Sequence, residues 1–200
     1  MAPLLYCKKM KTLQLHKPHL LVIVGLPGAG KSFFAKQFAD MFGAPYIDYR
    51  HFHKLVGSED TGDVVATELL GQLFLTKQTI LMEGRGETKQ DRGVLAKLAK
   101  SKGYELFYVW VQADGKTTLK RSVYAKDASY TEDEYIAQSE VFAPLEQHEP
   151  HVVISGRHTY ASQAKVVLKK LVAPRTTTVR TPVIPPRIDD QKRPGRIIVG

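Results

Sequence analysis

The segment VIVGLPGAGKS at residues 22–32 narrows the possible folds of this chain more than any other stretch. It opens in HLLVIV (19–24), a continuous apolar run of strand length. It leads into KSFFAKQFADMF (31–42), where Phe34, Phe38 and Met41 or Phe42 share one helical face before Gly43 stops the helix. Between them, Gly25 to Ser32 fits G-x-x-x-x-G-K-[ST], in the strand-then-helix setting that this motif requires. Glycines let the backbone curl so that successive N–H groups point inward as an anion nest, and the positive end of the following helix adds to that field. A glycine-rich turn without a ligand is the alternative. Strand, complete octapeptide and helix together argue against it.

The nest would cradle nucleotide phosphates through Gly25, Pro27, Gly28, Ala29, Gly30, Lys31, Ser32 and Phe33. Lys31 would span the β- and γ-phosphates of ATP, and the Ser32 hydroxyl would ligate Mg²⁺.

The remaining body alternates in the same manner. PYIDY (45–49), TILMEG (79–84), ELFYVWV (105–111) and HVVIS (151–155) read as strands. DVVATELLGQLFLT (63–76) reads as a buried helix and DRGVLAKLAKSKG (91–103) as an amphipathic one closed by Gly103. Further helical stretches fall at 117–127, 131–142 and 160–172. Apolar strands separated by helices imply an α/β three-layer sandwich: a mostly parallel five-stranded sheet covered on both faces.

Composition enters where it bounds partners and compartment. The 200 residues, 43% of them hydrophobic, suit one domain with a real core. That domain spans residues 19–172, with 1–18 as an extension, and MKTLQLHKPHLLVIVG makes a natural opening from Met10 as well as from Met1. The single cysteine, Cys7, cannot form an internal disulfide, which points to a reducing compartment. No apolar run approaches membrane-spanning length and MAPLLYCKKMK is too short for a signal peptide, so the expectation is a cytoplasmic protein without a membrane partner. The net charge of +9 divides into +4 on residues 173–200 and +5 on the rest. That tail is rich in Pro, Thr and Arg, shows no sustained period, and reads as disordered; its charge would suit nucleic acid. A moderately basic body equally suits an enzyme of phosphorylated substrates.

The loop and short body together resemble the small P-loop kinases, the branch that includes polynucleotide kinase 5′-domains, zeta-toxin-like kinases, and shikimate and gluconate kinases. The resemblance covers about residues 19–172 and is specific at the P-loop. It implies a P-loop kinase fold with a disordered C-terminal tail, and a phosphotransferase that uses ATP and Mg²⁺ on an unidentified hydroxyl acceptor, a small metabolite or a 5′-hydroxyl nucleic-acid end. A zeta-toxin-like kinase and a non-catalytic nucleotide-binding switch are the alternatives.

In that group an acidic residue near the end of the second strand faces the acceptor hydroxyl, and Asp48 occupies the matching position. A carboxylate at a strand's carboxyl end lies by the phosphate crevice and can accept a hydroxyl proton. Asp48 as the N-cap of RHFHKLV is the competing reading. Arg50 would grip an anionic acceptor, as a similarly placed arginine does in polynucleotide kinases. Glu83 ends its strand where a Walker-B-type acid reaches the Mg²⁺ water shell, although related families often carry Asp there and polynucleotide kinases continue with a D-x-N-like pattern instead of Glu83-Gly-Arg85. Arg85 and Arg92 are acceptor-side candidates, with a solvated first-turn arginine the other reading of Arg92. His51 and His53 are read as solvated histidines, and Thr88-Lys-Gln-Asp91 as helix capping. In such kinases a lid brings cations onto the transferring phosphoryl group, where positive charge offsets what develops in the transition state. Arg121 and Lys126 fit that role or a solvated basic helix face. The sequence FAPLEQHE after them resembles the F-E-P-P-like turn that follows the lid.

Overall fold

The computed structural model describes residue 13, residues 15–126 and residues 128–172. The expectations for Cys7, the alternative starts at Met1 and Met10, and the basic tail at 173–200 lie outside the described residues.

Five strands form one sheet in the order β2-β3-β1-β4-β5, with every neighbouring pair parallel. They are β1 (His19–Val24), β2 (Tyr46–Asp48), β3 (Ile80–Glu83), β4 (Glu105–Gln112) and β5 (His151–Ser155). The helices are α1 (Lys31–Phe42), α2 (Tyr49–Val56), α3 (Glu59–Leu75), α4 (Lys89–Ser101), α5 (Gly115–Val123), α6 (Glu132–Val141) and α7 (Tyr160–Val172). All six residues of the central strand β1 are buried, which is what a parallel strand covered on both faces requires. On one face α1 and α7 pack Phe34, Phe38, Ala164 and Val167 against Leu21, Ile23 and Val109. On the other, α3 and α4 pack Leu70, Phe74, Leu95 and Ala99 against Leu20, Val22, Ile80 and Tyr108. Each fully buried Leu, Ile or Phe contributes roughly 1.5–3 kcal/mol, so the two clusters carry the stability of the sheet.

The helix at 63–76 differs from expectation. It starts earlier because Ser58 caps it, accepting from the Thr61 N–H at 3.3 Å, with Glu59 and Asp60 in the first turn. It also buries only a stripe, Gly62, Ala66, Leu70 and Phe74, while Val64 and Leu75 are about 70% exposed. Likewise α5 begins at Gly115 because Asp114 accepts from the Thr117 N–H at 2.9 Å. Thr88 caps α4 by accepting from the Asp91 N–H at 3.0 Å, the capping role read from the sequence.

Arg92 is neither solvated nor directed to an acceptor. Its side chain is buried and bridges α4 to the segment before β5: Nε donates to Glu149 Oε1 at 2.5 Å and Nη1 to the Ala143 carbonyl at 2.9 Å, while Nη2 reaches the Pro144 carbonyl and Glu149 Oε2, both at 3.3 Å. Removing one partner of such a pair strands a buried charge, which costs about 3–5 kcal/mol. Arg92→Ala should therefore lower unfolding stability by about that amount, read from the urea midpoint. A loss below about 1 kcal/mol would show that the bridge is not structural.

Candidate active site

Strand register builds this site. Asp48 on β2 and Ile23 on β1 both pair with Glu83 on β3, so the two carboxylates stand side by side at the carboxyl edge of the sheet, one residue before β1 runs into the glycine loop. Beyond Val24, Gly25 takes φ 141° and Gly28 φ 76°. A Cβ at Gly25 would lie 2.3 Å from the Val111 carbonyl oxygen, and one at Gly28 would lie 2.2 Å from that of Thr118. Only glycine lets the loop pass this close to β4 and α5. Gly30 then caps α1 with no side-chain hydrogen bond, leaving the first N–H groups of a 12-residue helix directed into the loop.

The loop, the two carboxylates and the α5–α6 connection enclose a cavity of about 240 Å³, lined by Pro27, Gly28, Gly30, Lys31, Ser32, Asp48, Arg50, Glu83, Gly84, Ser122, Ser129 and Tyr130. Lys31 is buried and donates from Nζ to the Gly25 carbonyl at 2.7 Å and the Leu26 carbonyl at 3.0 Å. Burial, with the nearby Arg50 charge, lowers its pKa from 10.5 to about 8. An anion in the loop restores the charged form.

Glu83 is buried, and that burial raises its pKa above the usual carboxylate value, against the opposing effects of Ser32 and Tyr46. The Tyr46 hydroxyl donates to Glu83 Oε1, whereas Oε2 is buried with no hydrogen-bond partner of good geometry among the described residues. A buried carboxylate oxygen left over next to a hydroxyl is the donor set a hard cation seeks. Ser32 and Glu83 thus fit Mg²⁺.

Asp48 is the N-cap of α2 and also borders the cavity. Its Oδ1 accepts from the Arg50 N–H at 3.1 Å. Arg50 reaches the same cavity but is already engaged: it donates to the Tyr130 hydroxyl and pairs with Glu87 at 3.3 Å.

Other candidates fall elsewhere. Arg85 does not line the cavity; its guanidinium lies 5.6 Å from the Tyr49 ring centroid, between Asp63 at 3.9 Å and Asp91 at 3.8 Å. Phe33 points outward, 55% exposed. Lys126 is exposed beyond the end of α5 and lines no part of the cavity. Arg121 donates to the Gly156 carbonyl at 3.1 Å, and a Cβ at Gly156 would lie 1.8 Å from the Ala29 carbonyl oxygen. It therefore ties α5 to the turn that supports the loop from outside. His53 pairs with Asp63 at 2.7 Å instead of being solvated, while His51 is exposed. No cluster of three metal-ligating side chains occurs among the described residues, and no helix among them is long and apolar enough to cross a membrane.

Three residues with evident roles escape sequence reasoning: Tyr46, Glu87 and Tyr130. Tyr46 alone left a signal, since it shares a strand face with Asp48 two residues on.

No family model and no curated protein matches the sequence. Solved structures do match its fold. A sugar kinase from Janibacter sp. superposes with a TM-score of 0.60 at 16% identity, covering 77% of this chain and 94% of that one. A gluconokinase from Sinorhizobium meliloti superposes with a TM-score of 0.60 at 16% identity, covering 77% of this chain and 91% of that one. The chain has the P-loop kinase fold of these proteins.

The Lys31 environment sets a pH dependence. A lysine with pKa about 8 is charged below that pH and neutral above it, so binding polyphosphate at higher pH must draw in a proton. Affinity for a nucleoside triphosphate, measured by calorimetry, should weaken by up to about tenfold per unit above pH about 8, where the terminal phosphate is already fully ionised. In Lys31→Met that slope should vanish. An unchanged slope would place the titration on another group.

Proposed function

We propose that this protein is an ATP-dependent phosphotransferase acting on the hydroxyl group of a small polar acceptor. The observation that carries the reading is the register of Asp48 beside Glu83 next to a complete phosphate-loop motif, with both carboxylate residues lining one cavity, an arrangement suited to proton acceptance and cation binding. Kinases among the proteins of the same fold support the reaction class.

In this reading the loop amides and Lys31 hold the triphosphate. Ser32 and Glu83 would hold Mg²⁺, which supplies charge neutralisation of the phosphate oxygens. Asp48 accepts the proton of the acceptor hydroxyl while that oxygen forms its bond to the γ-phosphorus and the bond to the leaving ADP oxygen breaks. Tyr46 orients Glu83 by occupying Oε1, which would leave Oε2 for the cation. Arg121 supports the loop from outside through the Gly156 carbonyl. The cytoplasm is the compartment this reading expects, because ATP is abundant there.

Asp48→Asn separates chemistry from architecture. Asparagine caps a helix about as well as aspartate, so α2 should stay intact and nucleotide affinity should remain within about threefold. Phosphoryl transfer should fall by roughly 10²–10⁴. A transfer rate within threefold of wild type refutes Asp48 as the base. Lys31→Ala offers the complementary outcome: both nucleotide affinity and transfer should collapse, and transfer within tenfold of wild type would remove the loop from the mechanism.

A further inference from the structure

The cavity below the loop shares Arg50, Gly84, Ser129 and Tyr130 with a second one of about 610 Å³ between α2, the β3–α4 loop and α6. It adjoins the site where Asp48 meets the phosphate loop, so in the phosphotransferase reading it is the space open to an acceptor. Its charges decide what kind. The carboxylates of Glu59, Glu87 and Glu134 line it against the cations Arg50 and Lys54. Of the remaining ionisable side chains on its wall, His53 is held by Asp63 at 2.7 Å and Tyr130 accepts from Arg50.

Arg50 is the cation nearest the phosphate loop, and it is already answered. Its Nη2 lies 3.3 Å from Glu87 Oε1, its Nη1 donates to the Tyr130 hydroxyl, and its guanidinium lies 5.5 Å from the Tyr130 ring centroid. Glu87 cannot easily leave. Its side chain is only 13% exposed, and its backbone carbonyl accepts from the Ala143 N–H at 2.9 Å and from buried Arg92 at 3.3 Å. An incoming carboxylate or phosphate would meet, next to the phosphate loop, a guanidinium already paired with Glu87. The exposed Lys54, Glu59 and Glu134 stand farther out on the wall and leave it net negative, so repulsion would exceed the attraction left over. Hydroxyl groups both donate and accept, and they suit a wall that alternates carboxylates with Arg50, Ser58, Tyr130 and Gln138.

We infer that the acceptor is an uncharged polyhydroxylated compound and that Glu87, by neutralising Arg50, is the residue that excludes anionic acceptors. This rests on the phosphotransferase reading and reverses the sequence-based expectation that Arg50 grips an anion. A 5′-hydroxyl nucleic-acid end is disfavoured on the same ground.

A charge-matched series on one carbon skeleton tests it. Ribitol, ribonate and ribitol 5-phosphate are titrated calorimetrically into the wild-type protein and Glu87→Gln, each saturated with ADP and Mg²⁺, alongside the corresponding tetritol and hexitol series. In the wild type a neutral member should bind at least about tenfold more tightly than its carboxylate and phosphate counterparts, and in Glu87→Gln the ratio should shift at least about tenfold toward the anions. Preference for an anionic member in the wild type, an unchanged ratio in Glu87→Gln, or binding by no member of any series would overturn the inference. The initial ADP saturation reports separately on the underlying reading. Nucleotide binding with anion preference refutes only the acceptor class, whereas no nucleotide binding removes the phosphotransferase site itself. Should Glu87→Gln not fold, the wild-type ratio alone decides.

Discussion

A helix that begins without a cap at the edge of a buried parallel sheet has N–H groups that need an acceptor, and the rest of this molecule is arranged around that need. Gly30 supplies no side chain to cap α1, and Lys31 turns inward to the carbonyls of Gly25 and Leu26. Such a turn concentrates positive potential at one point, which an anion relieves. The neighbouring elements hold the turn in shape: β4 through the Val111 carbonyl, α5 through that of Thr118, and the β5–α7 turn through Gly156. Three elements distant in sequence thus press backbone against backbone at Gly25, Gly28 and Ala29, which leaves the loop little freedom to relax.

Around that centre, charge is arranged in answered pairs. Asp48 and Glu83 face Lys31, Glu87 faces Arg50, Glu149 faces Arg92, and Asp63 faces His53. Of the Glu83 carboxylate, Oε1 is taken by Tyr46 while Oε2 is buried with no well-formed partner among the described residues, in a cavity that Ser32 also lines. Arg92 links the two halves of the arrangement, since the segment it holds, through Ala143, also fixes the backbone of Glu87. A buried residue of α4 therefore shapes the wall of the second cavity through its packing.

Local patterns were legible in the sequence, and long-range ones were not. The strands, the phosphate loop and the capping role of Thr88 follow from neighbours within a few residues, because period, glycine placement and cap chemistry act over that range. The side-by-side placement of Asp48 and Glu83 follows only once β2 and β3 are known to be adjacent and in register. Arg92 looks solvated in its own helix, as first-turn arginines do, because the carboxylate that buries it is 57 residues away. Arg50 looks like an anion clamp until Glu87 and Tyr130, from two other segments, are seen to occupy it. The exposed face of α3 escaped for a different reason: an apolar run of helix length reads as buried all round, and only the spacing of Gly62, Ala66, Leu70 and Phe74 selects the stripe that packs.

The central claim is that the loop at Gly25–Ser32 holds the phosphates of a nucleotide together with a cation on Ser32 and Glu83. Calorimetric titration of ATP into the protein, with Mg²⁺ and with the metal chelated, tests it most directly. The account predicts one ATP bound per chain, at least about tenfold more tightly with Mg²⁺, and a Mg²⁺ advantage that largely disappears in Glu83→Gln. Absence of ATP binding, or binding indifferent to Mg²⁺ in the wild type, would contradict it.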